Sequence, residues 1–149
     1  MLLDQIAAEI MTAMRAKDAV RLRGLRAIKA AILLANTDGS GKAMDTERET
    51  ALLQKLVKQR RDSLDIFTAQ GRADLAVIEE EELATIMEFL PKQFSEAELS
   101  AAVSEIIAET GATSTKDMGK VMGAASKALA GKTEGKLISE MVKKLLAQL

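Results

Sequence analysis

Apolar residues return every three or four positions along nearly the whole chain, which is the period of an amphipathic helix. The first stripe is Leu3, Ile6, Ala7, Ile10 and Met14, within Leu2 to Lys17, and Lys17-Asp18 reads as a break or cap. The second is Leu22, Leu25, Ile28, Ile32 and Leu33, over 19–35. Asn36 to Lys42 is a Gly/Ser/Asp loop. Thr46 and Glu49 have capping-box spacing, and a long helix follows through Leu52, Leu53, Leu56, Val57, Arg60, Leu64 and Phe67 to Gly71. Asp74 is placed to cap a fourth helix that turns Leu75, Ile78, Leu83, Ile86, Met87 and Leu90 inward. Pro91 ends it.

Ser95 to Glu98 is a second capping box, opening a helix through Leu99, Val103, Ile106 and Ile107 that stops at Gly111. Ser114 to Asp117 opens another, carrying Met118, Val121, Met122, Ala125 and Leu129 to Gly131. The last helix starts near Glu134 and buries Leu137, Ile138, Met141, Val142, Leu145 and Leu146. β-branched residues nowhere alternate with polar ones over a useful length, so no strand is expected. The predicted fold is all-α. A helical N-terminal domain spans 1–91, and a three-helix C-terminal domain spans 92–149.

Composition narrows the chemistry. The chain has 149 residues, enough for one domain or two small ones. It has no Cys and no His, which removes disulfides, thiolate or imidazole metal sites, and Cys- or His-dependent triads. With no Trp or Tyr and three Phe, it offers no aromatic stacking platform for single-stranded nucleic acid. There is no secretory signal pattern and no apolar run of about 18 residues. The expected setting is cytoplasmic, without a membrane partner.

The net charge of −1 conceals a strong asymmetry. Residues 15–72 carry thirteen bases against seven acids, and 73–90 carry six acids and no base. All eight Arg lie between Arg15 and Arg72, and every later base is Lys. The acidic run Glu79-Glu80-Glu81-Glu82 with Glu88 could bind a hard cation or do acid/base work. Its ordinary alternative is a face paired with Lys55, Lys58, Arg60 or Arg61 on the preceding helix. Lys55, Lys58 and Arg61 are three apart and form a secondary basic patch, able either to meet phosphates or to be an ordinary solvated face paired with the acidic run. Arg21, Arg23, Arg26 and Lys29 pose the same question; Arg26, close to the apolar stripe, is expected to be a structural charge partner.

Asp117-Met-Gly119-Lys120-Val-Met122-Gly123 is the third candidate. Glycine inside a helix costs about 1 kcal/mol relative to alanine. Gly119 and Gly123 share a face, so either a neighbouring helix or a ligand backbone should come close there. Lys116, Lys120 and Lys127 lie along one face. Gly131, Lys132 and Lys136 form a basic turn that leads into the N-terminus of the last helix, a plausible phosphate contact. The P-loop spacing is absent.

The strings Lys58-Gln-Arg-Arg-Asp-Ser63, Gln70-Gly-Arg-Ala-Asp-Leu75, Glu88-Phe-Leu-Pro-Lys-Gln93 and Asp117-Met-Gly-Lys-Val-Met122, followed by Gly131-Lys132, resemble the YqeY family of small bacterial proteins, in that family's order. From about Ser95 the chain also resembles the tail domain of GatB, the tRNA-binding subunit of the glutamine-dependent amidotransferase. The resemblance implies an all-helical, two-part fold and contact with tRNA, at Gly119-Lys120, Gly131-Lys132 and the adjacent lysines. It implies as partners tRNA and proteins of tRNA aminoacylation or amidation. The amidotransferase's carbon–nitrogen ligase chemistry, with glutamine as amido-N-donor, belongs to a catalytic body far larger than this chain. Hence no catalytic residue, cofactor or metal is assigned here. The expectation is a non-catalytic tRNA-binding accessory module. The alternative is a protein-interaction scaffold using an adaptable Met118, Met122 or Met141 surface. An enzyme built on the Glu79–Glu88 cluster is a third possibility.

Overall fold

A computed structural model describes all residues, Met1–Leu149. Seven α-helices and no strand account for its regular structure, apart from one 3₁₀ turn. They are α1 (Leu2–Arg15), α2 (Ala19–Asn36), α3 (Thr46–Ala69), α4 (Ala73–Met87), α5 (Glu96–Thr110), α6 (Met118–Ala128) and α7 (Gly135–Ala147), with the 3₁₀ turn Thr115–Asp117 opening α6. No helix is long and apolar enough to cross a membrane. The chain folds as two compact units, Met1–Leu90 and Pro91–Leu149.

In the first unit α1 to α4 bury one apolar cluster, with Ile6, Leu25, Ile28 and Ile86 fully enclosed. Fully burying such a side chain contributes about 1.5–3 kcal/mol, so this cluster fixes which helix faces turn inward. Gly24 of α2 is buried where α4 crosses it, and a Cβ there would lie 2.9 Å from Thr85 Cβ. Only glycine lets the two backbones approach that closely.

The inward faces differ in detail from the sequence expectation. The buried line of α1 runs through Leu2, Ile6 and Ala13, leaving Ala7 and Met14 exposed. Leu33 and Ile78 are also exposed rather than buried. The expected capping box at Thr46 is shifted by one residue. Asp45 caps α3, accepting from the Arg48 N–H at 2.8 Å. Glu49 instead accepts from the Leu2 N–H at 3.2 Å and so satisfies the start of α1. Asp74 does not cap α4 either. It lies inside the first turn, where Arg72 donates to it from Nε and Nη2.

In the second unit α5, α6 and α7 close around Val103, Val121, Ala125 and Val142. Ser95 caps α5 by accepting from the Glu98 N–H at 3.1 Å. Gly111 ends α5 in the left-handed conformation at φ +71. Ser114 and Asp117 form a complete capping box ahead of α6. Leu137, expected inside, is exposed, and Ile138, Met141, Val142 and Leu146 form the buried line of α7.

Candidate nucleic-acid interface

The glycine pair of α6 faces open space. A Cβ at Gly119 or at Gly123 would have no atom within 4 Å, and both residues are exposed. No helix of the second unit packs on that face, so packing within that unit does not explain the pair. The opposite face, through Val121 and Ala125, holds α6 against the core. α6 therefore presents an exposed strip without side chains at two positions one turn apart.

The lysines predicted for this site fall into two groups. Lys116, Lys127 and Lys136 are exposed and have neither an ion pair nor a side-chain hydrogen bond. They sit in the 3₁₀ turn ahead of α6, the last turn of α6 and the first turn of α7. Lys120 and Lys132 are anchored. Lys120 Nζ donates to the Thr110 carbonyl at 2.7 Å, satisfying an orphan carbonyl at the end of α5. Lys132 Nζ lies 5.6 Å from the centre of the Phe94 ring, a cation–π contact. Gly131, at φ +82, turns the chain back between α6 and α7 and is itself buried.

Asp117 is the acid closest in sequence to this lysine group, and it is occupied. Its carboxylate accepts from the Thr113 N–H at 2.9 Å and the Ser114 N–H at 3.3 Å. Those two backbone bonds, with a smaller attraction from Lys120, hold its carboxyl below the ordinary aspartate value.

Met118, Met122 and Met141 belong to the apolar core of the second unit, and Met141 also lines a shallow concavity with Glu96, Ala97, Ser100 and Lys144.

In the first unit Glu79, Glu81, Glu82 and Glu88 of the acidic run pair with arginines, and Glu80 is exposed. Arg60 of α3 lies 2.8 Å from Glu82 and 3.8 Å from Glu79. Arg23 of α2 reaches Glu81 at 2.9 Å and Glu82 at 3.3 Å. Arg21 bridges Glu88 at 2.6 Å and Glu9 at 2.9 Å, and the bond to Glu88, then that to Glu9, raises its pKa. Of the partners expected for this run on α3, the ion pairs show Arg60; Arg21 and Arg23, which the sequence left between phosphate contact and pairing, reach it from α2. Arg26 and Lys29 are exposed and Arg26 is in no ion pair, so it is not the structural charge partner expected of it. No group of three or more carboxylates is arranged to hold a metal ion. In the secondary basic patch Lys58 pairs with Asp62 at 3.0 Å, Lys55 is exposed, and Arg61 is half-buried.

One contact set had no signal in periodicity or charge. Phe94 N–H donates to the Lys132 carbonyl at 2.8 Å, and Gln93 Nε2 donates to the Gly131 carbonyl at 3.0 Å and the Pro91 carbonyl at 2.7 Å. The segment 91–94 thus straps the basic turn.

Comparison with known proteins adds two findings. The family model for Yqey-like protein matches residues 3–146. "Altered inheritance of mitochondria protein 41, mitochondrial" of the yeast Lachancea thermotolerans is 35% identical over 103 residues, 68% of this chain and 55% of that protein. The chain thus spans about half the length of that curated relative.

Proposed function

Because the chain belongs to the YqeY family, we propose that its second unit is a non-catalytic tRNA-binding module of the GatB tail type, acting as an accessory domain in a cytoplasmic setting. The observation that carries this reading is the open strip at Gly119 and Gly123. Two helix glycines cost about 1 kcal/mol each, and no packing contact within the second unit offsets that cost. A ligand backbone arriving at the strip would. The exposed Lys116, Lys127 and Lys136, with Lys120 and Lys132 held in place, supply the positive charge that a phosphate backbone requires. The lack of aromatic platforms suits a duplex backbone contact better than base stacking.

The test uses the full chain and bulk tRNA titrated over a salt series. Wild type binds with an affinity that falls log-linearly with salt. A Lys116→Ala/Lys127→Ala/Lys136→Ala variant, which removes only unpartnered lysines, folds normally, binds at least tenfold more weakly at about 50 mM salt, and has a shallower salt slope by about 2–3. Equal binding by the two proteins refutes the reading.

A further inference from the structure

We propose that Gln93 and Phe94 are positioning residues for Lys132, and that this strap makes Lys132 a preset phosphate contact; the inference rests on the tRNA reading of the second unit. Lys132 is tied down at three points. Its N–H donates to the Leu129 carbonyl at 3.0 Å, its carbonyl accepts from Phe94 N–H at 2.8 Å, and its ammonium stands 5.6 Å from the Phe94 ring centre. The preceding carbonyl, of Gly131, is held by Gln93 Nε2 at 3.0 Å, and the same NH₂ group holds the Pro91 carbonyl at 2.7 Å. One amide therefore joins the two sides of the strap, using both of its N–H bonds.

The physical consequence concerns entropy. A free lysine side chain loses about 2 kcal/mol of rotamer freedom when a ligand fixes it. Lys116, Lys127 and Lys136 have no partner and bear that loss on binding. Lys132 has lost part of it already, since its ammonium is held 5.6 Å from the ring centre while the residue stays exposed. A cation on an aromatic face still has its other side available for an anion. Preorganisation of this kind converts more of the charge attraction into affinity. Gln93 is essential to the arrangement because a glutamate in its place accepts and cannot donate to the two carbonyls.

The test combines a spectroscopic signature with binding, in the full chain. In wild type the Lys132 methylene resonances are shifted upfield by the Phe94 ring. Gln93→Ala and Phe94→Leu both remove that shift, and Phe94→Tyr restores it. Bulk tRNA then binds Gln93→Ala and Phe94→Leu about three- to tenfold more weakly, with a salt slope lower by about 1, as for Lys132→Ala. The double variant Gln93→Ala/Lys132→Ala binds no worse than Lys132→Ala alone, because both changes remove one contact. Loss of the upfield shift with unchanged tRNA affinity overturns the positioning role while leaving the tRNA reading in place. Additive losses in the double variant overturn it too. Absence of tRNA binding by wild type itself overturns the underlying reading, and the inference with it. If Gln93→Ala does not fold, the Phe94→Leu and Phe94→Tyr pair decides alone.

Discussion

At the scale of single residues, the caps show why one carboxylate can matter more than the charge around it. Asp117 accepts two backbone N–H bonds at the entry to α6, and its charged form is what those bonds favour. Its folded pKa is lowered, so its contribution is present above the unfolded value of about 3.9 and fades as pH falls through the folded value. Stability measured by chemical denaturation should therefore decline below about pH 4, and Asp117→Asn should flatten that decline while weakening the protein at neutral pH. An unchanged acid limb in Asp117→Asn would place the acid sensitivity elsewhere. Residue spacing identified Ser114–Asp117 as a helix opening, where the complete box stands, and misjudged the box at Thr46. The reason is that Asp45, one position earlier, competes for the same role and wins it. Glu49, freed from its own helix, caps α1 across 47 residues of chain, a contact that no local pattern encodes.

At the scale of elements, α2, α3 and α4 are held in register by charge as well as by apolar packing. Glu82 is only 9% exposed and faces guanidinium groups from two helices, Arg60 at 2.8 Å and Arg23 at 3.3 Å. A buried charge left without its partners is costly, but both arginines keep some access to water, which reduces the loss. Glu82→Gln should lower the unfolding free energy by about 1–3 kcal/mol without altering the helix content by circular dichroism. A loss below about 0.5 kcal/mol would mean that the pairs are solvated and contribute little. The acidic run was legible as a charge run on a helix. Its partners on α2 were not, because they depend on how closely α2 crosses α4, and that is set by the absence of a side chain at Gly24.

At the scale of the whole molecule, the two kinds of base do different work in the two units. Arginine, with five donors in a fixed fork, serves the multi-partner junctions of the first unit. Arg21, Arg23 and Arg60 each meet two carboxylates, and Arg48 holds Asp38 together with the Ala35 and Lys42 carbonyls. Lysine, a flexible point charge, is what the second unit exposes around α6. Helix number, helix type and the break near Pro91 follow from periodicity and turn residues, since each helix buries a stripe of its own. Exposed positions such as Met14, Leu33, Ile78 and Leu137 escaped that logic, because a stripe fixes a face only to within about one residue. The glycine pair was visible as an anomaly in sequence, but whether it met a helix or open space required the fold.

The central claim is that this strip on α6 is kept clear for an incoming ligand backbone, and a Gly119→Ala/Gly123→Ala variant tests it most directly. Neither new methyl group meets another atom, so the variant should be more stable, by about 1 kcal/mol or somewhat more. Its affinity for bulk tRNA, measured beside wild type at low salt, should nevertheless fall by at least tenfold, because the added methyl groups stand where the ligand must come close. A more stable variant that binds tRNA as tightly as wild type would contradict the claim, as would a wild-type protein that does not bind tRNA at all.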